Sequence, residues 1–239
     1  MTSMPAAPDF SQYDKINYGC GYDKRPGYLN VDIDPACDPD YLISTGDFSG
    51  LPKRHFVELI AKDVLEHIPR VKSLEALLEF SSLLRMDGRM VVETTDLLQV
   101  GKKFREHTLF AEHFGWTQCL FGTQAHPGDF HFTGFTDATL TVHLEAAGFH
   151  VERRSLVDDW MMHYECVKFW AWDDLDEPVS SNPDFLVSAY GTLLDREPDE
   201  GGRDYFLQSL ATGNSRRSVL RSIASAPERL YVVAKALGI

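Results

Sequence analysis

The chain has 239 residues, of which 44% are hydrophobic and 25% are charged, a balance typical of globular proteins. No stretch of about 18 consecutive apolar residues occurs, so the sequence excludes a membrane-spanning helix. The formal net charge is −13, from 23 basic and 36 acidic residues. A chain this acidic lacks the basic surface with which proteins bind nucleic acid, so no nucleic-acid partner is expected.

The amino-terminal residues and the cysteines favour a cytoplasmic protein. Residues 1–14 lack the basic segment and apolar run of a secretory signal. Four widely spaced cysteines form no CxxC motif and are expected to be free thiols, without a zinc site: Cys20, Cys37, Cys119 and Cys166. We therefore expect a cytoplasmic location and no bound metal.

Residues 1–172 are predicted to form one α/β domain, because short apolar strands alternate with amphipathic helices. The predicted strands are Lys15–Gly19, Tyr28–Ile33, Tyr41–Ser44, Phe56–Ala61, Arg89–Thr94, Phe149–Ser155 and Glu165–Trp172. The predicted helices are Ser73–Arg85, which ends before the turn dipeptide Asp87-Gly88, then Leu97–Glu106, Leu109–Gly115 and Asp137–Ala147. Thr136 is the expected N-cap of the last of these helices.

A second, smaller unit follows a change in composition. Residues 173–182 are rich in acidic residues, serine and proline, and are predicted to be a linker. Residues 183–239 have helical periodicity throughout and are predicted to form a module of four short helices. A module this small is marginally stable alone unless it packs well.

Glycines at the end of the first strand indicate a cofactor site. Gly19-Cys20-Gly21 would let a cofactor approach the backbone without meeting a Cβ atom. A dinucleotide fingerprint needs a third glycine where Lys24 stands, which argues against NAD and FAD. A tight turn after the strand would have the same glycines, so both interpretations remain open.

Carboxylates follow the next two strands. Asp32 comes at the tip of the second strand, where it could accept hydrogen bonds from ribose hydroxyls. Asp47 follows the third strand and could accept from an adenine amino group. The structural alternatives are a turn with Pro35 for Asp32 and an Asx turn or helix cap for Asp47.

In their order and approximate spacing, these segments resemble class I S-adenosylmethionine-dependent methyltransferases. The resemblance covers about Lys15–Trp172 and rests on Asn17–Gly21, Asn30–Ile33, Gly46-Asp47, Val64–Ile68, Met86–Arg89 and the stretch from His131 to Phe149. It implies a Rossmann-like sheet of seven strands, the last antiparallel. It also implies S-adenosylmethionine as cofactor, with contacts from Gly19, Cys20, Gly21, Asp32, Ile33, Asp47, Phe48 and Asp63.

Two departures from the family pattern concern the first crossover. Asp23 replaces the usual third glycine, and only ten residues separate Gly21 from Asp32. The first crossover helix is therefore expected to be short or lost. A shortened version of this kind resembles a subgroup found beside bacterial glycan-synthesis genes.

The carboxy-terminal unit has a likeness of its own. Residues from Phe185 to Gly213 resemble a small helical module of unknown function that recurs in bacterial surface and exopolysaccharide-related proteins. The loop from Asp199 to Gly202 lacks EF-hand ligand spacing. We expect a structural or docking module, with a protein partner as one role.

Acceptor-site candidates lie beyond the fourth and fifth strands. His126 and His131 are the predicted base or acceptor contacts, because imidazole titrates near neutral pH, and Asp129 accompanies them. Asp63, Glu66, His67 and Asp96 lie at the same edge, although Glu66 and His67 are more typical of a helix start. A stacking face for a sugar could come from Trp116, Phe130, Phe132 and Trp160.

The leading functional interpretation is O-methylation of a bacterial saccharide or lipid-linked glycan. A second interpretation keeps the cofactor and changes the acceptor to a small metabolite or an amine. A third is a catalytically degenerate scaffold, which Asp23 and the missing crossover helix keep open.

Overall fold

A computed structural model describes residues 7–125, 128–176 and 181–239. The strands are β1 (Lys15–Tyr18), β2 (Leu29–Asp32), β3 (Tyr41–Leu42), β4 (Phe56–Lys62), β5 (Leu84–Thr95), β6 (Phe149–Val157) and β7 (Met161–Lys168). The helices are α1 (Ser73–Leu83), α2 (Leu97–Glu106), α3 (Phe110–Phe121), α4 (Asp137–Ala146), α5 (Asn182–Leu194), α6 (Glu200–Ala211), α7 (Arg216–Ala224) and α8 (Pro227–Leu237).

Within these residues the strands form one seven-stranded sheet in the order β3-β2-β1-β4-β5-β7-β6. The first five strands are parallel, and β7 runs antiparallel to both β5 and β6. The order reverses between β1 and β4, so their carboxyl ends flank a crevice in which open α/β sheets bind ligands. The predicted Rossmann-like sheet, with its last strand antiparallel and helices after it, is confirmed.

The crossover between β1 and β2 contains no helix, as its length predicts. The side-chain amides of Asn17 and Asn30 hold the backbone of this loop by hydrogen bonds. Asn17 Nδ2 donates to the Asp23 carbonyl at 2.8 Å, and Asn30 Oδ1 accepts from the Arg25 amide at 2.7 Å. Parallel pairing of Tyr18 with Val31 places the carboxyl ends of β1 and β2 side by side, which is the geometry that a shared ligand needs.

Ion pairs occupy the sheet face that this crossover helix would cover. Tyr18 packs on Phe80 of α1, so the intervening positions of β1 point to the other face. Lys15 pairs there with Glu58 at 3.5 Å, and Lys62 pairs with Glu93 at 2.6 Å. Right-handed crossovers that run in opposite directions along a sheet lie on opposite faces. Charged, partly exposed side chains therefore explain how the sheet tolerates the missing helix.

Several predicted boundaries differ from the structure, among them the carboxyl end of β7, which is Lys168 rather than Trp172. Helix α1 ends at Leu83, and the predicted turn at Asp87-Gly88 lies inside β5, where Asp87 has φ of 59° and the pairing with β4 shifts register. A bulge, rather than a chain reversal, thus accommodates the turn residues. Helix α3 continues to Phe121, and β7 begins at Met161, directly after the left-handed pair Asp158-Asp159.

The carboxy-terminal helices pack against the sheet domain. Apart from Glu75, every residue of α1 is buried, because the helix has the sheet on one side and α7 on another. The predicted linker begins inside a 3-10 helix, Trp172–Asp176, whose Asp173 is 5% exposed. Trp172 Nε1 donates to the Leu78 carbonyl at 3.0 Å and fastens this segment to α1.

Two glycines provide a matched test of the packing. Gly148 has φ of 90°, and a Cβ atom there would lie 2.3 Å from the Trp170 carbonyl oxygen. Gly148→Ala is therefore expected to lower the free energy of unfolding by about 2 kcal/mol. Gly191 lies inside α5, and a Cβ there meets nothing within 4 Å, so Gly191→Ala is expected to raise it by about 0.5–1 kcal/mol.

Urea unfolding of both variants measures these differences. Equal stability of Gly148→Ala and the parent chain would contradict the described path from α4 into β6. Within the described ranges no helix is both long and apolar enough to cross a membrane.

Candidate functional site

A cleft of about 750 Å³ opens at the carboxyl ends of β1, β2 and β4. The loop after β3, the start of α1 and the helix α7 complete its wall. Seven of the predicted cofactor residues line this one cleft: Gly19, Gly21, Asp32, Ile33, Asp47, Phe48 and Asp63. Residues spread over 45 positions of the chain are thus brought together by the parallel strands.

The two glycines serve the cleft in different ways. Both have positive φ, 67° at Gly19 and 48° at Gly21. A Cβ at Gly19 would lie 2.5 Å from Val64 Cγ2, whereas a Cβ at Gly21 would meet nothing within 4 Å. Gly19 is therefore required by close packing against the loop after β4. Gly21 leaves open space where a side chain would otherwise stand.

Asp32 is held in a fixed position at the end of β2. Its side chain is 9% exposed, and Oδ2 accepts from the Gly21 amide at 2.7 Å. Oδ1 accepts from the Asp34 amide at 2.9 Å. A carboxylate oxygen can accept two hydrogen bonds, so both oxygens retain capacity for hydroxyl groups. The predicted turn and the predicted ligand contact are compatible at this residue.

Residues after β2 and β3 supply apolar side chains to the lining of the cleft. Ile33 is 44% exposed, and Phe48 stacks on Tyr18 with ring centroids 5.3 Å apart. Asp47 Oδ1 accepts from the Ser49 hydroxyl at 2.6 Å and from its amide at 2.9 Å. These bonds hold the pKa of Asp47 below its usual value. The Asx turn considered for Asp47 is therefore present, and the residue also lines the cleft.

Cys20 is the predicted cofactor residue whose side chain lies outside the lining of the cleft. Its side chain is buried among strand residues, and its backbone amide donates to the Val31 carbonyl at 3.0 Å. Burial, with the negative charge of Asp32 nearby, raises the pKa of the thiol to about 12. Gly19 and Gly21, on either side of it in the chain, both line the cleft.

Two acidic residues follow β4. Asp63, with φ of 51°, lines the cleft, and burial together with the charge of Glu93 raises its pKa. Glu66 is 1% exposed, and burial raises its pKa to about 7. It accepts from the Thr94 hydroxyl at 3.0 Å, while its carbonyl accepts from the Phe132 amide at 2.7 Å. Glu66 therefore anchors the loop over the site.

His67 lines the cleft and is oriented by that loop. Its Nδ1 lies 3.2 Å from the Phe130 carbonyl oxygen, and its ring meets the edge of the His131 ring at 4.7 Å. A carbonyl oxygen only accepts, so in this hydrogen bond Nδ1 carries the proton. Nε2 is then the basic nitrogen of the neutral ring. From the sequence, His67 is expected to be a structural residue at a helix start. Its orientation in the cleft depends on the loop that contains Phe130, 63 residues further along the chain.

Of the predicted catalytic residues, His131 contacts this histidine from outside the lining of the cleft. His131 Nδ1 lies 3.1 Å from the Cys119 carbonyl oxygen, and burial and the neighbouring His67 lower its pKa. Asp129 accepts from the amide and hydroxyl of Thr123, which closes the loop. Neither lines the cleft, whereas Gly128 of the same loop does. His126 lies outside the described residues.

The aromatic candidates form two pairs. Phe130 and Phe132 are stacked, with ring centroids 6.1 Å apart, and Phe132 is 55% exposed. Trp116 and Trp160 meet edge to face at 5.9 Å. None of the four lines the cleft itself, although Phe130 holds His67 through its carbonyl.

Sequence reasoning missed a basic part of the wall. Four cations line it, from the loop before β4, the turn before α1 and the helix α7; we call Lys53, Lys72, Arg217 and Arg221 the basic wall. The spacing of Arg217 and Arg221, four residues apart, indicates a shared helix face. Nothing in the sequence shows which surface that face meets. In the described parts of the chain, no group of three or more histidine, cysteine, aspartate or glutamate side chains could hold a metal ion.

Residues 174–231 match the family described as Domain of unknown function (DUF4214). No curated protein matches the chain. Among solved structures it is similar to the Burkholderia thailandensis 1,6-didemethyltoxoflavin-N1-methyltransferase with bound 1,6-didemethyltoxoflavin and S-adenosylhomocysteine, at 15% identity and a TM-score of 0.45, over 65% of this chain and 71% of that one. It is also similar to a SAM-dependent methyltransferase from Methanosarcina mazei, at 15% identity and a TM-score of 0.48, over 66% and 93% of the respective chains.

Proposed function

We propose that the chain is an S-adenosylmethionine-dependent methyltransferase. The supporting observation is the convergence of Gly19, Gly21 and Asp32, which follow or end β1 and β2, on one cleft with Asp63, which follows β4 across the order reversal. The proposal depends on the chain's own residues.

The residues of the cleft fit the parts of this cofactor. Asp32 would accept from the ribose hydroxyls, and the open space at Gly21 would receive the methionine portion. The adenine would lie against the apolar side chains of Ile33 and Phe48, with Asp47 beside its amino group. The carboxylates along this edge also favour a cationic ligand.

The bound cofactor would supply an electrophilic methyl group. His67 would accept the proton that an acceptor hydroxyl loses, through its Nε2 atom. The Phe130 carbonyl fixes the tautomer, and His131 supports the ring from its edge. His131 is thus a positioning residue in this proposal. His67 takes the role of catalytic base, which the sequence analysis assigned to His131.

We propose a hydroxyl of a bacterial saccharide or lipid-linked glycan as the acceptor. The exposed ring of Phe132, stacked on Phe130 in the loop whose backbone bonds to Glu66, offers an apolar face of the kind that sugar rings contact. Both parts of the sequence resemble proteins associated with bacterial glycan synthesis or exopolysaccharides, and this supports the same class of acceptor. A small-molecule acceptor without a sugar ring remains the competing candidate.

Calorimetric titration with S-adenosylhomocysteine tests the proposed cofactor site. Binding in the micromolar range supports an enzyme, and incubation with methyl-labelled S-adenosylmethionine and a saccharide panel then identifies the acceptor. No heat of binding at millimolar ligand would contradict the proposal and favour a degenerate scaffold.

A further inference from the structure

The carboxy-terminal helices contribute directly to the cleft. Arg217 and Arg221 of α7 line the same wall as the proposed cofactor residues. Lys53 reaches this wall from the loop between β3 and β4. These cations share the cleft with the carboxylates of Asp32, Asp47 and Asp63. Cations gathered in one wall of a cleft favour a ligand group of opposite charge.

A single carboxylate holds two of these cations. Lys53 Nζ lies 2.8 Å from Glu79 Oε2, and Arg221 Nη1 lies 3.1 Å from Glu79 Oε1. Burial opposes ionisation of Glu79, yet the two cations hold its pKa below its usual value. Two positive charges against one negative charge leave an excess positive charge at the cleft.

Arg217 is fixed by a separate set of contacts. Its Nη1 donates to Asp173 Oδ2 at 2.6 Å, and its guanidinium lies 5.2 Å from the centroid of the Trp172 ring. Asp173 also lies 3.4 Å from Arg54 Nη2, so its charge is shared. A guanidinium held at one nitrogen keeps further donors for a planar acidic group.

The excess charge does not suit the cationic end of the proposed cofactor. A sulfonium and an ammonium group favour the acidic edge with Asp32 and Asp63, whereas the basic wall favours an anion. We propose that Arg217, Arg221 and Lys53 form a subsite for an acidic group, a phosphate or a carboxylate, of the methyl acceptor. The proposal rests on the proposed function and makes the carboxy-terminal module part of the substrate site.

The test uses the full chain and two soluble probes, inorganic pyrophosphate for phosphate groups and glucuronate for carboxylates. Each is titrated in the presence and in the absence of S-adenosylhomocysteine. We expect at least one probe to bind at millimolar concentration or below without displacing S-adenosylhomocysteine. Arg221→Gln is expected to weaken this binding by about tenfold, the equivalent of one lost charge-assisted hydrogen bond.

Glu79→Gln provides a change of opposite sign. It keeps the shape of the side chain and removes the charge that competes for Lys53 and Arg221, so we expect tighter probe binding. Lys53→Met changes a loop residue and leaves the contact between Arg221 of α7 and Glu79 of α1 intact. It should weaken probe binding as Arg221→Gln does. Arg203→Gln on α6, where the arginine is exposed, changes the net charge equally and should change nothing.

Three results would overturn the proposal: neither probe binds the parent chain, a probe competes with S-adenosylhomocysteine, or Glu79→Gln weakens binding. Competition would assign the basic wall to the carboxylate of the cofactor instead. Failure of S-adenosylhomocysteine to bind, with the probes still bound, would contradict the proposed function and not the anion subsite.

Discussion

Asp32→Ala is expected to raise the dissociation constant for S-adenosylhomocysteine by about a hundredfold or more. The carboxylate has its two oxygens fixed by the amides of Gly21 and Asp34 and faces the cleft. Charged hydrogen bonds to two ribose hydroxyls would be lost together, and each contributes about 1.5 kcal/mol or more. Isothermal titration calorimetry measures the change directly.

Asp34→Ala is the matched control for this experiment. Asp34 is exposed, lies two residues further along the chain, and caps the 3-10 helix Pro35–Cys37. Its loss should leave the dissociation constant within about twofold. Asp32→Asn keeps the shape of the side chain and separates the effect of charge from that of local structure. Unchanged affinity in both Asp32 variants would contradict the assignment of the ribose site.

His67→Ala is expected to lower the turnover number by about 100-fold or more while the affinity for S-adenosylhomocysteine stays the same. The reason is that His67 lines the cleft with Nδ1 bonded to the Phe130 carbonyl, and in the proposed reaction its Nε2 accepts the proton of the acceptor hydroxyl. Steady-state kinetics with the acceptor found in the saccharide screen would measure kcat, and calorimetry would measure cofactor affinity.

His131→Ala serves as the comparison, because His131 contacts His67 and lies outside the lining of the cleft. We expect a reduction in kcat smaller than that of His67→Ala. His150, an exposed histidine paired with Glu145, is a control whose replacement should have no effect. A larger loss for His131→Ala than for His67→Ala would return the base to the position favoured by the sequence.

The sheet and the cofactor edge could be predicted because their signals are local. About ten consecutive residues are enough to recognise a strand, the glycines that follow it, or an acid at the tip of the next strand. Parallel pairing then brings the tips together. The lost crossover helix could be predicted for the same reason, since its length is set by Gly21 and Asp32 alone. Cys20 stays a prediction: it lies outside the lining of the cleft, and the pattern does not specify which way each residue of the loop turns.

The base and the basic wall depend on contacts distant in sequence. His67 is oriented by Phe130, 63 residues later, and Glu79 meets Arg221 across 142 positions. Hydrophobic spacing identifies α7 as a helix but does not say which of its faces meets α1. A sequence therefore predicts the presence of such residues, and only the packed structure shows which of them share a cavity.

A crystal structure with S-adenosylhomocysteine tests the central claim most directly. We predict the nucleoside in the cleft, with its ribose hydroxyls within hydrogen-bond distance of Asp32 and the homocysteine portion beside Gly19 and Gly21. A ligand bound elsewhere, or a cleft filled by the protein's own side chains at saturating ligand, would show that the strand tips bind no such compound.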